Sequence, residues 1–149
     1  MLDLYAGSGA VGIEALSRGA ARVVFVEKAP PALTVMRANL ERLEIRDGFE
    51  IFAGGVSAFL RRGGAGFDVV FLDPPYDAEA EYAAALGALG ATAQALLNEG
   101  AIVIAEHRRK EKLKQRHGGL ARTRLLEQGD AALSFYAKDR ESEEGDGQP

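Results

Sequence analysis

Leu2-Asp3-Leu4-Tyr5-Ala6-Gly7-Ser8-Gly9-Ala10-Val11-Gly12 is an apolar strand that runs into a Gly-x-Gly turn and straight on into a stretch of helical spacing. Glycine permits positive φ in such a turn and removes the Cβ that would hold a ligand away from the backbone. The helix start that follows offers unpaired N–H groups to an anionic part of a ligand. Glu27 closes the next apolar run, 20 residues after Gly7, where a carboxylate can accept hydrogen bonds from both hydroxyls of a ribose. Gly7-x-Gly9-x-x-Gly12 with a downstream acid matches a dinucleotide fingerprint, so an NAD-linked oxidoreductase is one reading. Asp3 favours another, because a carboxylate just before the turn attracts the ammonium end of S-adenosylmethionine and repels a pyrophosphate. The candidate cofactor-binding residues are Asp3, Tyr5, Ala6, Gly7, Ser8, Gly9 and Glu27.

Outward from this turn, runs rich in Val, Ile and Phe alternate with longer stretches of helical spacing, as in strand-helix-strand units around a parallel sheet. Strands are expected at 1–5, 21–27, 50–52, 67–72, 101–106, 123–127 and 131–136, and helices at 10–18, 31–43, 56–61 and 79–97. Pro30-Pro31 opens the second helix, where a missing donor costs nothing. Asn98-Glu99-Gly100 stops the fourth. Gln128-Gly129-Asp130 joins the last two strands as an antiparallel hairpin. The expected fold is therefore an α/β, Rossmann-like, doubly wound and mostly parallel seven-stranded sheet, with helices on both faces and an antiparallel C-terminal hairpin.

The chain has 149 residues, enough for one domain that buries roughly two-thirds of its unfolded surface. It contains no cysteine, which excludes disulfides, thiolate metal sites and cysteine nucleophiles. No apolar run is long enough to span a membrane. The net charge of −4 is concentrated in the last eleven residues, where Asp139, Glu141, Glu143, Glu144 and Asp146 oppose only Arg140. The body at 1–138 is neutral, and an acidic tail at 139–149 is expected to be disordered.

At the end of the fourth strand stands Asp73-Pro74-Pro75-Tyr76, on the side of an open parallel sheet where ligands bind. An exocyclic amine on a base is a weak nucleophile because its lone pair is delocalised into the ring. A carboxylate oxygen of Asp73 and the carbonyl of Pro74 can each accept one amino hydrogen, keep the nitrogen pyramidal and aim its lone pair at a methyl carbon. Pro75 stiffens the segment, and Tyr76 can stack on an extruded base. The candidate catalytic residues are Asp73, Pro74 and Tyr76; Pro75 and Tyr76 are candidate substrate contacts, and no metal is required.

A basic run from His107 to His117 follows the fifth strand, with six fixed positive charges. Arg108, Arg109 and Lys110 are candidate phosphate contacts, with a solvated helix face as the alternative. A histidine beside such a run is expected to be exposed and non-catalytic. After the third strand Ala53-Gly54-Gly55 offers no acid, so the adenine contacts stay open. Asn39 either reaches toward the ribose or faces solvent.

The stretch from Leu2 to Ala20, with its Ser17-Arg18-Gly19-Ala20, resembles the first motif of the RsmD-type family of bacterial methyltransferases. Asp73-Pro74-Pro75-Tyr76 and Glu106-His107 are similar to that family as well. The resemblance implies methyl transfer from S-adenosylmethionine to the N2 amine of a guanine in 16S ribosomal RNA, of the guanine-966 type, with S-adenosylhomocysteine as product. It further implies a cytoplasmic enzyme, monomeric, acting on a small-subunit particle and not on a membrane. The tetrapeptide alone also suits DNA adenine-N6 and other amino-group methyltransferases. The family carries a segment before its first strand that helps cover cofactor and RNA. That segment is expected to be missing from these residues, so an inactive cofactor-binding domain is a further reading.

Overall fold

The computed structural model describes residues 1–75 and 79–139. Five parallel strands alternate with four helices: β1 (Leu2–Leu4), α1 (Ala10–Ser17), β2 (Val23–Glu27), α2 (Pro30–Arg42), β3 (Phe49–Ala53), α3 (Val56–Arg62), β4 (Phe67–Leu72), α4 (Glu79–Leu96) and β5 (Leu97–Arg108). The antiparallel strands β6 (Arg116–His117), β7 (Leu120–Gln128) and β8 (Ala131–Lys138) complete the sheet. Its order is β3-β2-β1-β4-β5-β8-β7-β6.

Central strands covered on both faces need continuous apolar sequence, and Val23-Val24-Phe25-Val26 in β2 is fully buried. Alternate residues feed two cores. Val24 and Val26 join Leu2, Leu4, Val70, Leu72 and Val103 beneath α3 and α4. Val23 and Phe25 pack with Met36 and Leu40 of α2, together with partly buried residues of α1. Each fully buried Leu, Val or Phe contributes roughly 1.5–3 kcal/mol, so these layers dominate the stability of the sheet.

Eight strands replace the seven expected, because Arg116 and His117 pair with Ala121 and Leu120. This short strand is held by α4 at a point where only glycine fits: a Cβ on Gly90 would lie 1.8 Å from the His117 carbonyl oxygen. Gly119 N–H donates to the Gly90 carbonyl at 3.0 Å. The fifth strand starts at Leu97, not at residue 101. Asn98-Glu99-Gly100 does end the helix, but a register shift between Phe67 and Val69 absorbs the segment into β5, with Gly100 at φ 76°.

The expected tail boundary also moves. Asp139 is 7% exposed, its N–H donates to the Gly119 carbonyl at 2.8 Å, and its carboxylate pairs with Arg116. Residues 140–149 lie outside the described residues. Among the described residues no helix is long and apolar enough to cross a membrane.

Candidate active site

Strand order reverses between β1 and β4: the chain moves outward through β2 and β3 on one side and through β5 on the other. Such a reversal opens a crevice beyond the carboxyl ends of the two central strands. Leu4 lies beside Leu72, so Tyr5 and Asp73 leave the sheet as neighbours. The glycine turn and the tetrapeptide, 70 positions apart in sequence from Asp3 to Asp73, thus meet at one place.

The turn is built by left-handed backbone at Tyr5 (φ 57°), Gly7 (φ 58°) and Gly9 (φ 82°). Tyrosine in this region stores about 1–3 kcal/mol of strain. A Cβ on Gly7 would meet nothing within 4 Å, so open space lies above the turn, as a ligand against the backbone needs. Gly9 is closed in instead, with Met36 3.0 Å from the position of a Cβ. Asn39 donates to the Ser8 carbonyl at 3.0 Å, which settles its role as a brace for the turn.

Asp3 lies beneath the turn, 2% exposed, and its Oδ2 accepts the N–H of Gly12 at 3.1 Å. The start of α1 is therefore partly capped from within, and the expectation that its N–H groups stand free for an anion fails at Gly12. This weakens the dinucleotide reading, since a pyrophosphate would need those donors. Burial, opposed by the Gly12 bond and reinforced by Glu27 and Asp73, raises the Asp3 carboxyl to about 7. Glu27 Oε1 accepts Gly7 N–H at 2.9 Å, and Oε2 accepts Lys28 and Ala29 N–H at 2.8 and 2.9 Å. A carboxylate has about four acceptor positions. These three bonds leave about one position of the carboxylate open.

On the Asp73 side opens a cleft of about 1010 Å³ whose walls include Asp73, Pro74, Pro75, Tyr82, Glu106 and the residues from His107 to Lys112, but none of the glycine turn. The cleft walls strip water from Asp73, and the charge of Glu106 adds to this, raising its carboxyl to about 6. Tyr82 of α4 is 4% exposed and donates its hydroxyl to the Glu106 carbonyl at 2.6 Å. Burial, with Glu111, Asp73 and Glu106 around it, pushes the Tyr82 phenol far up, so it stays a donor. No sequence signal marked Tyr82, which reads simply as an apolar position of α4. Tyr76 lies outside the described residues.

The basic run is not a helix face. β5 ends at Arg108, a turn follows, and Arg109 N–H donates to the Asp130 carbonyl at 2.7 Å. Arg108, Arg109, Lys110 and Lys112 all line the cleft, with Arg109 paired to Glu127. His107, expected to be exposed, is 6% exposed: Nε2 meets Ser134 Oγ and Nδ1 meets the Arg108 carbonyl, each at 2.8 Å. The reason is β8, whose antiparallel pairing lays Ser134 beside the end of β5.

A reversed parallel sheet with this turn and this acid-proline pair defines a class I methyltransferase domain. The family described as Conserved hypothetical protein 95 matches residues 1–137, and the chain belongs to this family, the RsmD type. The Bacillus subtilis protein YlbH, whose name assigns it provisionally to the rRNA methyltransferases, is 34% identical over 140 residues, covering 92% of this chain and 74% of that one. Ribosomal RNA small subunit methyltransferase D of Haemophilus influenzae is 40% identical over 78 residues, half of this chain and 40% of that one. The solved structure of yhhF from Escherichia coli, described provisionally as a methyltransferase, superposes with a TM-score of 0.80 at 26% identity, over 93% of this chain and 75% of that one.

Proposed function

We propose that this protein transfers a methyl group from S-adenosylmethionine to the exocyclic N2 amine of a guanine in 16S ribosomal RNA, within a small-subunit particle in the cytoplasm. The observation that carries the reading is the adjacency of Asp73-Pro74-Pro75 to the glycine turn across the β1–β4 pair. The names of the relatives supply the class of acceptor.

The residues fit the cofactor. Open space above Gly7 admits the methionine part, and Glu27 keeps an acceptor for a ribose hydroxyl. Asp3 lies beneath the ammonium end, and a cation there favours the ionised form of its raised carboxyl. Tyr5, Ala6, Ser8 and Gly9 shape the turn that this part of the cofactor lies against. S-adenosylmethionine, when bound, supplies a methyl carbon made electrophilic by its sulfonium. Asp73 and the Pro74 carbonyl each accept one amino hydrogen and direct the nitrogen lone pair along the line of displacement. The methylated nitrogen is strongly acidic, and Asp73 or water takes its proton. Pro75 and Tyr76 hold the base, while Arg108, Arg109 and Lys110 meet the phosphates around it.

The test is incubation with labelled S-adenosylmethionine and undermethylated small subunits, followed by nucleoside analysis. N2-methylguanosine is the expected product, and no incorporation overturns the reading. Calorimetry against S-adenosylhomocysteine and NADH separates the two cofactor classes, and tight binding of NADH alone would reverse the choice.

A further inference from the structure

Asp73 shares the base of the cleft with a second carboxylate. Leu72 of β4 lies beside Ala105 of β5, so Asp73 and Glu106 follow at the next position on neighbouring parallel strands. Both line the cleft with Tyr82, and each bears electrostatically on its phenol. The backbone of Glu106 is fixed from two sides, by the Tyr82 hydroxyl at 2.6 Å and by pairing with Leu133 of β8. Glu27, Glu50, Glu81 and Glu127 spend their carboxylates on hydrogen bonds or ion pairs. Among the described residues none engages that of Glu106.

Guanine presents N1–H and the two N2 hydrogens side by side. With the amino hydrogens held by Asp73 and the Pro74 carbonyl, N1–H is the adjacent donor, and a group that only accepts is its complement. Adenine and cytosine instead carry a ring lone pair next to their amine. Against a carboxylate that lone pair is unpaired and repelled, a penalty that discriminates more strongly than a change of shape. Resting on the function proposed above, we propose that Glu106 accepts N1–H of the target guanine and makes the site reject adenine and cytosine.

2-Aminopurine isolates this contact, since it keeps the C2 amine but has a lone pair at N1. Once the methylated guanine is mapped, reconstituted particles carrying guanine or 2-aminopurine there are compared by kcat/KM. The wild-type protein prefers guanine by about 100-fold or more. Glu106→Gln, whose amide offers N–H to N1, narrows the ratio to within about tenfold, with affinity for S-adenosylhomocysteine unchanged. Glu106→Asp, which keeps the carboxylate, keeps the preference at a reduced rate and serves if the glutamine variant folds poorly. An unchanged ratio in Glu106→Gln, with N2-methylguanosine still formed, overturns this inference alone. A wild-type product other than N2-methylguanosine overturns the parent function with it.

Discussion

At the scale of single residues, two carboxyls with raised pKa govern how the protein should respond to pH, and they act on different observables. Asp73 works as an acceptor only when ionised, and its carboxyl sits at about 6. Methyl transfer measured as kcat/KM should therefore fall about tenfold per pH unit below 6, and Asp73→Ala should abolish it while cofactor affinity holds. Normal turnover in that variant would remove Asp73 from the mechanism. Asp3 acts on stability instead. Its folded carboxyl, at about 7, lies above the ordinary 3.8, so the folded state holds the proton more firmly than the unfolded one. Its contribution is present below pH 4 and lost as pH rises through 7. Denaturation of wild type and Asp3→Asn at pH 5 and pH 8 should show the wild type losing more stability than the variant. Equal losses would mean that Asp3 does not titrate in this window. Gly7→Val is expected to weaken S-adenosylhomocysteine binding at least tenfold by filling the open space over a left-handed backbone, measurable by calorimetry.

At the scale of elements, the parallel half of the fold was legible because its signals are local and redundant. The apolar run of β2, the Pro30-Pro31 opening of α2 and the glycine turn each define an element without help from elsewhere. What escaped depends on distant partners. Arg116-His117 has no alternation to mark a strand, and β6 exists because β7 and α4 receive it. His107 looked exposed among its charged neighbours and is buried by Ser134, 27 positions later. In the site, Asp73 and the turn were readable from sequence, whereas Tyr82 and the proximity of Glu106 to Asp73 follow from packing. Gly90 gives a test of the α4–β6 contact. Glycine to alanine inside a helix normally stabilises by about 1 kcal/mol. Here the added Cβ would strike the His117 backbone, so Gly90→Ala should instead destabilise by about 2 kcal/mol or more in chemical denaturation. A stabilised variant would show that β6 is loosely held.

For the whole molecule, the distribution of charge matters more than its sum. The net −4 would repel RNA if spread evenly, yet along the cleft Arg108, Arg109, Lys110 and Lys112 balance Asp73, Glu106, Glu111 and Asp130. Lys110→Ala and Lys112→Ala should each weaken RNA binding and lower the slope of log K against log salt by about 1, and an unaltered slope would place the phosphates elsewhere. The cofactor turn and the cleft are also joined mechanically. The Tyr5 hydroxyl, from the strained end of the cofactor turn, donates to Glu81 in the first turn of α4 at 2.9 Å. That turn opens the helix that also carries Tyr82, so a strut runs from the floor of one ligand to a wall of the other's cleft. Whatever free energy this exposed bond carries, about 1 kcal/mol at most, is available as cooperativity. Tyr5→Phe, which removes the bond, should change the affinity of each ligand for the complex with the other by the same factor, about fivefold at most, and an unchanged pair of affinities would show that the strut couples nothing.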